Sequence, residues 1–199
     1  MTKATKATKA LLIVDIQNDF CPGGALGVPE GDKIIPVINK YIRYFAKNKL
    51  PVFATRDWHP VRTRHFKEFG GVWPAHCIQN TRGSLFHPDL KLTKDTVLLY
   101  KGMDPDKDSY SSFHAEGANG VLLEEILKRF GIKEIYIGGL ATDYCVRFTA
   151  KDALKHGFKV KILMDAAKGV NLKPDDSQKA IKEIIRLGAK KTYLKDLRG

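Results

Sequence analysis

Cysteine is scarce in this chain: only Cys21, Cys77 and Cys145 occur among 199 residues. An odd count without an export signal argues against a disulfide framework and leaves at least one thiol free. Long apolar runs are missing as well, and nothing approaches the ~20 residues that a membrane span needs. The N-terminal MTKATKATKA is basic but lacks an apolar core and a cleavage site, because LLIVD is short and ends in an acid. It reads as a flexible basic tail over residues 1–9, followed by a single domain over 10–199 on a cytoplasmic protein. Acidic residues are also in the minority, 22 Asp and Glu against 34 Lys and Arg, for a net charge of +12. No aromatic RNA-binding motif or helix-turn-helix pattern accompanies the excess, so neither nucleic acid nor membrane is an expected partner.

What is present is an alternation of short apolar runs with amphipathic stretches. Strands are expected at 10–14, 51–55, 96–100, 134–138, 160–164 and 191–194, and helices at 34–48, 121–130, 145–156 and 175–187. This is the pattern of an α/β domain with a doubly wound, six-stranded parallel sheet and helices on both faces. The alternation breaks only from about Asp57 to Asp95, a stretch rich in His, Pro, Gly and aromatics. A loop region of that length in a compact domain is usually functional.

Ligands of such sheets bind outside the carboxyl ends of the strands. Asp15 follows the first expected strand, Asp57 and His59 the second, Lys101 the third and Cys145 the fourth. A free thiol, with a pKa near ~8.5, needs a base or a stabilising field before it becomes a nucleophile. At the start of a helix Cys145 has the positive end of the dipole. Asp15 supplies a carboxylate to take its proton, and Lys101 an ammonium that favours negative charge on sulfur. His114 stays open as an alternative base. Taken singly these residues have plain structural roles as core thiol, turn former and surface charge, but together they converge on one edge.

A second constellation suits a metal. In RDWHP, Asp57 and His59 stand two residues apart and so face one side of an extended segment. WPAHC adds His76, which makes three protein ligands with open positions, the pattern of a site that also takes water or substrate. Glu68 and Cys77 are secondary ligand candidates. Mixed nitrogen and oxygen ligation suits one divalent ion, Zn²⁺ first, with Mn²⁺ or Fe²⁺ compatible.

The segments LLIVDIQNDFCPGGALGV, TRDWHP, WPAHCIQNT, YKGMDPDKDSYSSF and GGLATDYCV occur in this order from Leu11 to Val146. In them the chain resembles the nicotinamidase and pyrazinamidase branch of the isochorismatase-like cysteine hydrolases. The resemblance implies a six-stranded parallel sheet and deamidation of nicotinamide to nicotinate and ammonia in NAD salvage. It implies Asp15, Lys101 and Cys145 as catalytic triad and Asp57, His59 and His76 as metal ligands. It further implies a cis peptide between Leu140 and Ala141, with the N–H groups of Ala141 and Cys145 as oxyanion hole. Phe20, Trp73 and Tyr110 lie in matching segments and are expected to wall the flat pyridine ring. The oligomeric state stays open, a homo-oligomer included. Alternatives are a relative acting on a carbamoyl or ureido compound, which keeps the triad without the metal, and a non-catalytic metal-binding or nucleic-acid-binding α/β protein.

Overall fold

Leu12 and Val14 of the first strand face one side of the sheet and Leu11 and Ile13 the other, and all four are buried. A strand with apolar residues at every position is buried on both faces, which requires layers above and below it. The computed structural model describes residues 8–197, and in it six strands form one sheet: β1 (Lys9–Val14), β2 (Val52–Asp57), β3 (Val97–Lys101), β4 (Glu134–Leu140), β5 (Lys159–Lys168) and β6 (Lys190–Thr192). Their spatial order is β3-β2-β1-β4-β5-β6 and every pairing is parallel. The winding therefore reverses between β1 and β4, and a crevice opens at their carboxyl ends.

The helices divide unevenly between the faces. Helices α2 (Leu123–Phe130), α3 (Arg147–Lys155) and α4 (Asp176–Arg186) pack through Leu127, Ala150, Ala153, Ile181 and Ile184 against the side of Leu12 and Val14. Helix α1 (Ile35–Lys47) covers the other side with Ile35, Ile38, Tyr41, Ile42 and Phe45. These fall at the helical repeat, and each fully buried apolar side chain contributes about 1.5–3 kcal/mol. Pro36 opens α1, where its missing N–H costs nothing. Gly131 closes α2 in the left-handed conformation, its N–H returning to Leu127 and Lys128.

Most boundaries shift by one or two residues from the sequence reading, β2 reaching Asp57 and β4 Leu140, and four differences have a structural consequence. Lys9, assigned to the tail, opens β1 and pairs with Glu134; the rest of the tail, up to residue 7, lies outside the described residues. Strand β5 continues to Lys168, past an irregularity after which Gly139 and Leu140 pair with Ala167 and Lys168. Asp165 resembles a strand end but stays inside β5, because its two oxygens accept from the Tyr41 hydroxyl and the Leu194 N–H. The expected last strand stops at Thr192 and gives way to a 3₁₀ turn over Leu194–Leu197. Helix α3 begins at Arg147 rather than Cys145, preceded by a wide π-helical turn over Thr142–Val146. No helix among the described residues is long and apolar enough to cross a membrane.

Candidate active site

Three strand ends bring acid, amine and thiol together. Asp15, one residue past β1, has φ 51°, a left-handed conformation that aspartate tolerates better than most residues. The Thr55 hydroxyl donates to its Oδ1 at 2.8 Å. Its Oδ2 lies 2.9 Å from the Lys101 ammonium but out of line for a hydrogen bond, so it retains accepting capacity in a buried position. Lys101 is 1% exposed. It pairs also with Asp57 Oδ1 and donates to Cys145 Sγ at 3.7 Å. Carboxylate oxygens of Asp15 and Asp57 and the sulfur of Cys145 all lie within 4.8 Å of one another. The backbone of Asp57 is held by Gln17, whose amide donates to the Asp57 carbonyl and accepts from the Asp57 N–H, both at 2.8 Å.

Burial and charge set the protonation of this group. Burial raises the Asp15 pKa; Lys101 pulls it down without cancelling the rise, to which Asp57 also contributes. Burial works against the charge of Lys101, but Asp15 and Asp57 outweigh it and hold the ammonium charged well above its ordinary range. Asp57 is buried too, yet Lys101 and His59 keep its carboxyl well below the carboxylate range. For Cys145 burial pushes the pKa well up, Lys101 opposes, and the two carboxylates reinforce the rise. The expected pull of the helix end toward thiolate does not prevail: the resting sulfur is a thiol, and it needs the base beside it.

The imidazoles form a second group. His59 Nδ1 donates to the Gly102 carbonyl at 2.9 Å and His76 Nδ1 to the Pro74 carbonyl at 2.7 Å, since a carbonyl only accepts. His65 Nδ1 meets Asp108 Oδ1 at 2.6 Å. Each ring is thereby fixed as the tautomer whose Nε2 lone pair is free, the arrangement typical of metal-bound histidine. Ligand atoms of His59, His65 and His76 lie within 4.8 Å of one another. Burial lowers the His76 pKa to about 4 and holds His65 below its ordinary range, so both are neutral at neutral pH, the state in which an imidazole can take a metal. The fit to a cation is direct. His59 Nε2 is buried without a hydrogen-bond partner and lies 3.6 Å from Asp57 Oδ2, so a divalent ion beside them would satisfy both. Gly102 is required here: its φ is +72°, and a Cβ would come within 2.4 Å of the His59 ring.

Of the residues expected to bind metal, His59 and His76 meet, and Asp57 stands at the seam between the imidazoles and Lys101. His65 was not anticipated, and neither were Gln17 and Asp108. Glu68 is exposed and Cys77, though buried, stands outside both groups. His114 is exposed and lines a different cavity, so it is not the base of Cys145.

Both groups open into one cavity, where Cys145, Asp57, His65 and His76 face Phe20, Trp73 and Tyr110. Trp73 Nε1 donates to the Tyr110 hydroxyl at 2.8 Å, Tyr110 stacks on Phe148, and Tyr144 packs edge-on against Trp73. Ala141 lines the same cavity, and the peptide before it is cis.

A protein-family model described as the isochorismatase domain matches residues 9–194. The chain is 41% identical over 197 residues to the nicotinamidase of Escherichia coli, an alignment covering 91% of this chain and 92% of that one. Among solved structures it is similar to the pyrazinamidase of Pyrococcus horikoshii in complex with zinc, at 50% identity and a TM-score of 0.85, covering 94% of this chain and 99% of the other. PnC1 from L. infantum in complex with nicotinate gives 32% identity and a TM-score of 0.81, covering 95% and 94%. With the sheet, the strand-end triad and these matches in agreement, the chain belongs to the isochorismatase family.

Proposed function

We propose that this chain is a metal-dependent nicotinamidase, which converts nicotinamide to nicotinate and ammonia through a thioester on Cys145, and accepts pyrazinamide as well, in NAD salvage. The observation that carries the reading is the buried Lys101 in contact with Asp15 and with Cys145, which lines a cavity together with His65, His76 and flat aromatic walls. The nicotinamidase name of the E. coli relative, the zinc of the P. horikoshii structure and the nicotinate of the L. infantum one support it. We assign the metal as Zn²⁺, held by Asp57, His59 and His76 with His65 beside them, and the compartment as the cytoplasm.

Asp15 accepts the proton of Cys145 through its free Oδ2, and Lys101 stabilises the thiolate that results. Sulfur attacks the carboxamide carbon, and the N–H groups of Ala141 and Cys145 hold the oxyanion. Asp15, whose raised pKa lets it keep a proton, gives it to the amide nitrogen, the C–N bond breaks and ammonia leaves. A water then attacks the thioester while Asp15 takes one of its protons; the C–S bond breaks, that proton returns to sulfur, and the acid gives water's other proton to the solvent and departs as nicotinate. The metal, when bound, supplies a Lewis-acid anchor that orients the ring. Phe20, Trp73 and Tyr110 exclude water around it.

Ammonia release by the purified protein is the test. We expect turnover of nicotinamide and pyrazinamide that a chelator abolishes and Zn²⁺ restores. Release from N-carbamoyl compounds, with none from nicotinamide, overturns the reading.

A further inference from the structure

We propose that Asp19 is a positioning residue for the metal-binding half of the site, acting through the backbone of Cys77; the proposal rests on the assignment of His59 and His76 as ligands. Asp19 does not line the cavity. Its Oδ2 accepts from the Cys77 N–H at 2.7 Å, a contact between segments 58 positions apart in the chain. On its other side Cys77, through its carbonyl, accepts from the His59 N–H at 3.0 Å. Cys77 is therefore a splint between the two histidines: it follows His76 directly and is bonded to the backbone of His59.

That splint is in a conformation it would not adopt unaided. Cys77 has φ 47°, a left-handed backbone that a non-glycine residue keeps only where its surroundings hold it. The Asp19 carboxylate is the group that takes its N–H. Among the described residues Asp19 has no cationic partner within 4 Å, and its carboxylate accepts from two backbone N–H groups. The second is that of Ala25, 3.2 Å from Oδ1. The Asp19 backbone donates to the Gly83 carbonyl and accepts from Leu26. Gly83 leaves the space the carboxylate needs, since a Cβ there would come 2.0 Å from Asp19 Oδ2. A turn residue that only shaped its own loop would need the Ala25 bond and not the one to Cys77. The carboxylate reaches across to the ligand segment, as the outer partners of metal-binding histidines do.

The experiment is zinc affinity of the full chain, measured by competition with a chromophoric chelator, which requires no turnover. Asp19→Ala is expected to weaken Zn²⁺ binding by about 10–100-fold. Gly83→Ala, which crowds the carboxylate without removing its charge, is expected to move affinity in the same direction. Asp19→Asn retains an acceptor oxygen for Cys77 and is expected to lose less than Asp19→Ala; it and Gly83→Ala carry the test if Asp19→Ala does not fold. Ile42→Ala, in the core under α1, serves as the control: it lowers Tm and leaves zinc affinity unchanged. Wild-type affinity in folded Asp19→Ala or Gly83→Ala overturns the role of Asp19. A wild-type chain that binds no Zn²⁺ instead overturns the metal assignment, and this proposal with it.

Discussion

The two halves of the site differ in how their polar atoms are satisfied. Asp15 and Asp57 share the buried Lys101 ammonium, and the thiol of Cys145 rests against it. The imidazoles spend their Nδ1 atoms on Gly102, Pro74 and Asp108 and leave His59 Nε2 buried without a partner. One half is held by a cation that the chain supplies, the Lys101 ammonium; the other leaves a place for a cation that the chain does not supply. Asp57 belongs to both, one oxygen on Lys101 and the other near His59. Chemistry and substrate anchoring are therefore separable, and mutations should divide them.

The largest effect is expected from Cys145→Ala, which removes the nucleophile and leaves the imidazole half intact. Turnover should fall by about 10⁴-fold or more, while calorimetry still detects nicotinamide binding to the zinc-loaded protein. Parallel loss of binding and turnover would merge the two halves.

Asp15→Asn should lower kcat by about 10²–10⁴-fold, because an amide cannot accept the thiol proton. In the wild type the base must be ionised, so kcat/KM should be full at high pH and lost as pH falls through the Asp15 pKa. Burial raises that pKa, which places the acid limb above the ordinary aspartate range. A limb within that range would assign the base elsewhere.

Lys101→Ala tests the electrostatics without substrate. The sulfur loses the one charge that lowers its pKa while both carboxylates remain, so iodoacetamide labelling of Cys145 near neutral pH should slow several-fold. Peptide mapping supplies the control in Cys21, whose thiol burial and Asp32 push up to about 11, with no part played by Lys101, so its labelling should be the same in both proteins. Unchanged labelling of Cys145 removes Lys101 from the triad. The same variant leaves two buried carboxylates unpaired and should cost about 3–5 kcal/mol of stability, read as a fall in Tm.

Asp108→Asn is the mildest. Asp108 is largely exposed and touches only the outer nitrogen of His65, so zinc affinity should weaken by about tenfold with Cys145 labelling unchanged. A change in labelling would show that the imidazole half reaches the sulfur after all.

The strand-end residues were legible in the sequence because strands carry a period: once β1 to β4 are placed, Asp15, Asp57, Lys101 and Cys145 must gather at one edge. The imidazole half was legible only where residues stand two apart, as Asp57 and His59 do. His65 follows His59 by six positions in a stretch without periodicity, and Asp108 comes 43 positions after His65, so no spacing rule links them. The reach of β5 to Lys168 was hidden because Asp165 looks like a strand end until its partners Tyr41 and Leu194 are seen. The π-helical turn at Thr142–Val146 left no signal in a sequence that reads equally well as ordinary helix.

The bond between Trp73 and Tyr110 joins two irregular segments, one between β2 and β3 and the other after β3, and neither contributes to the sheet. The aromatic wall of the cavity is thus built from parts that can lengthen, shorten or change composition while the strands keep Asp15, Lys101 and Cys145 in register. A lineage holding this arrangement can acquire new amide substrates by altering loops alone, with its reaction inherited unchanged.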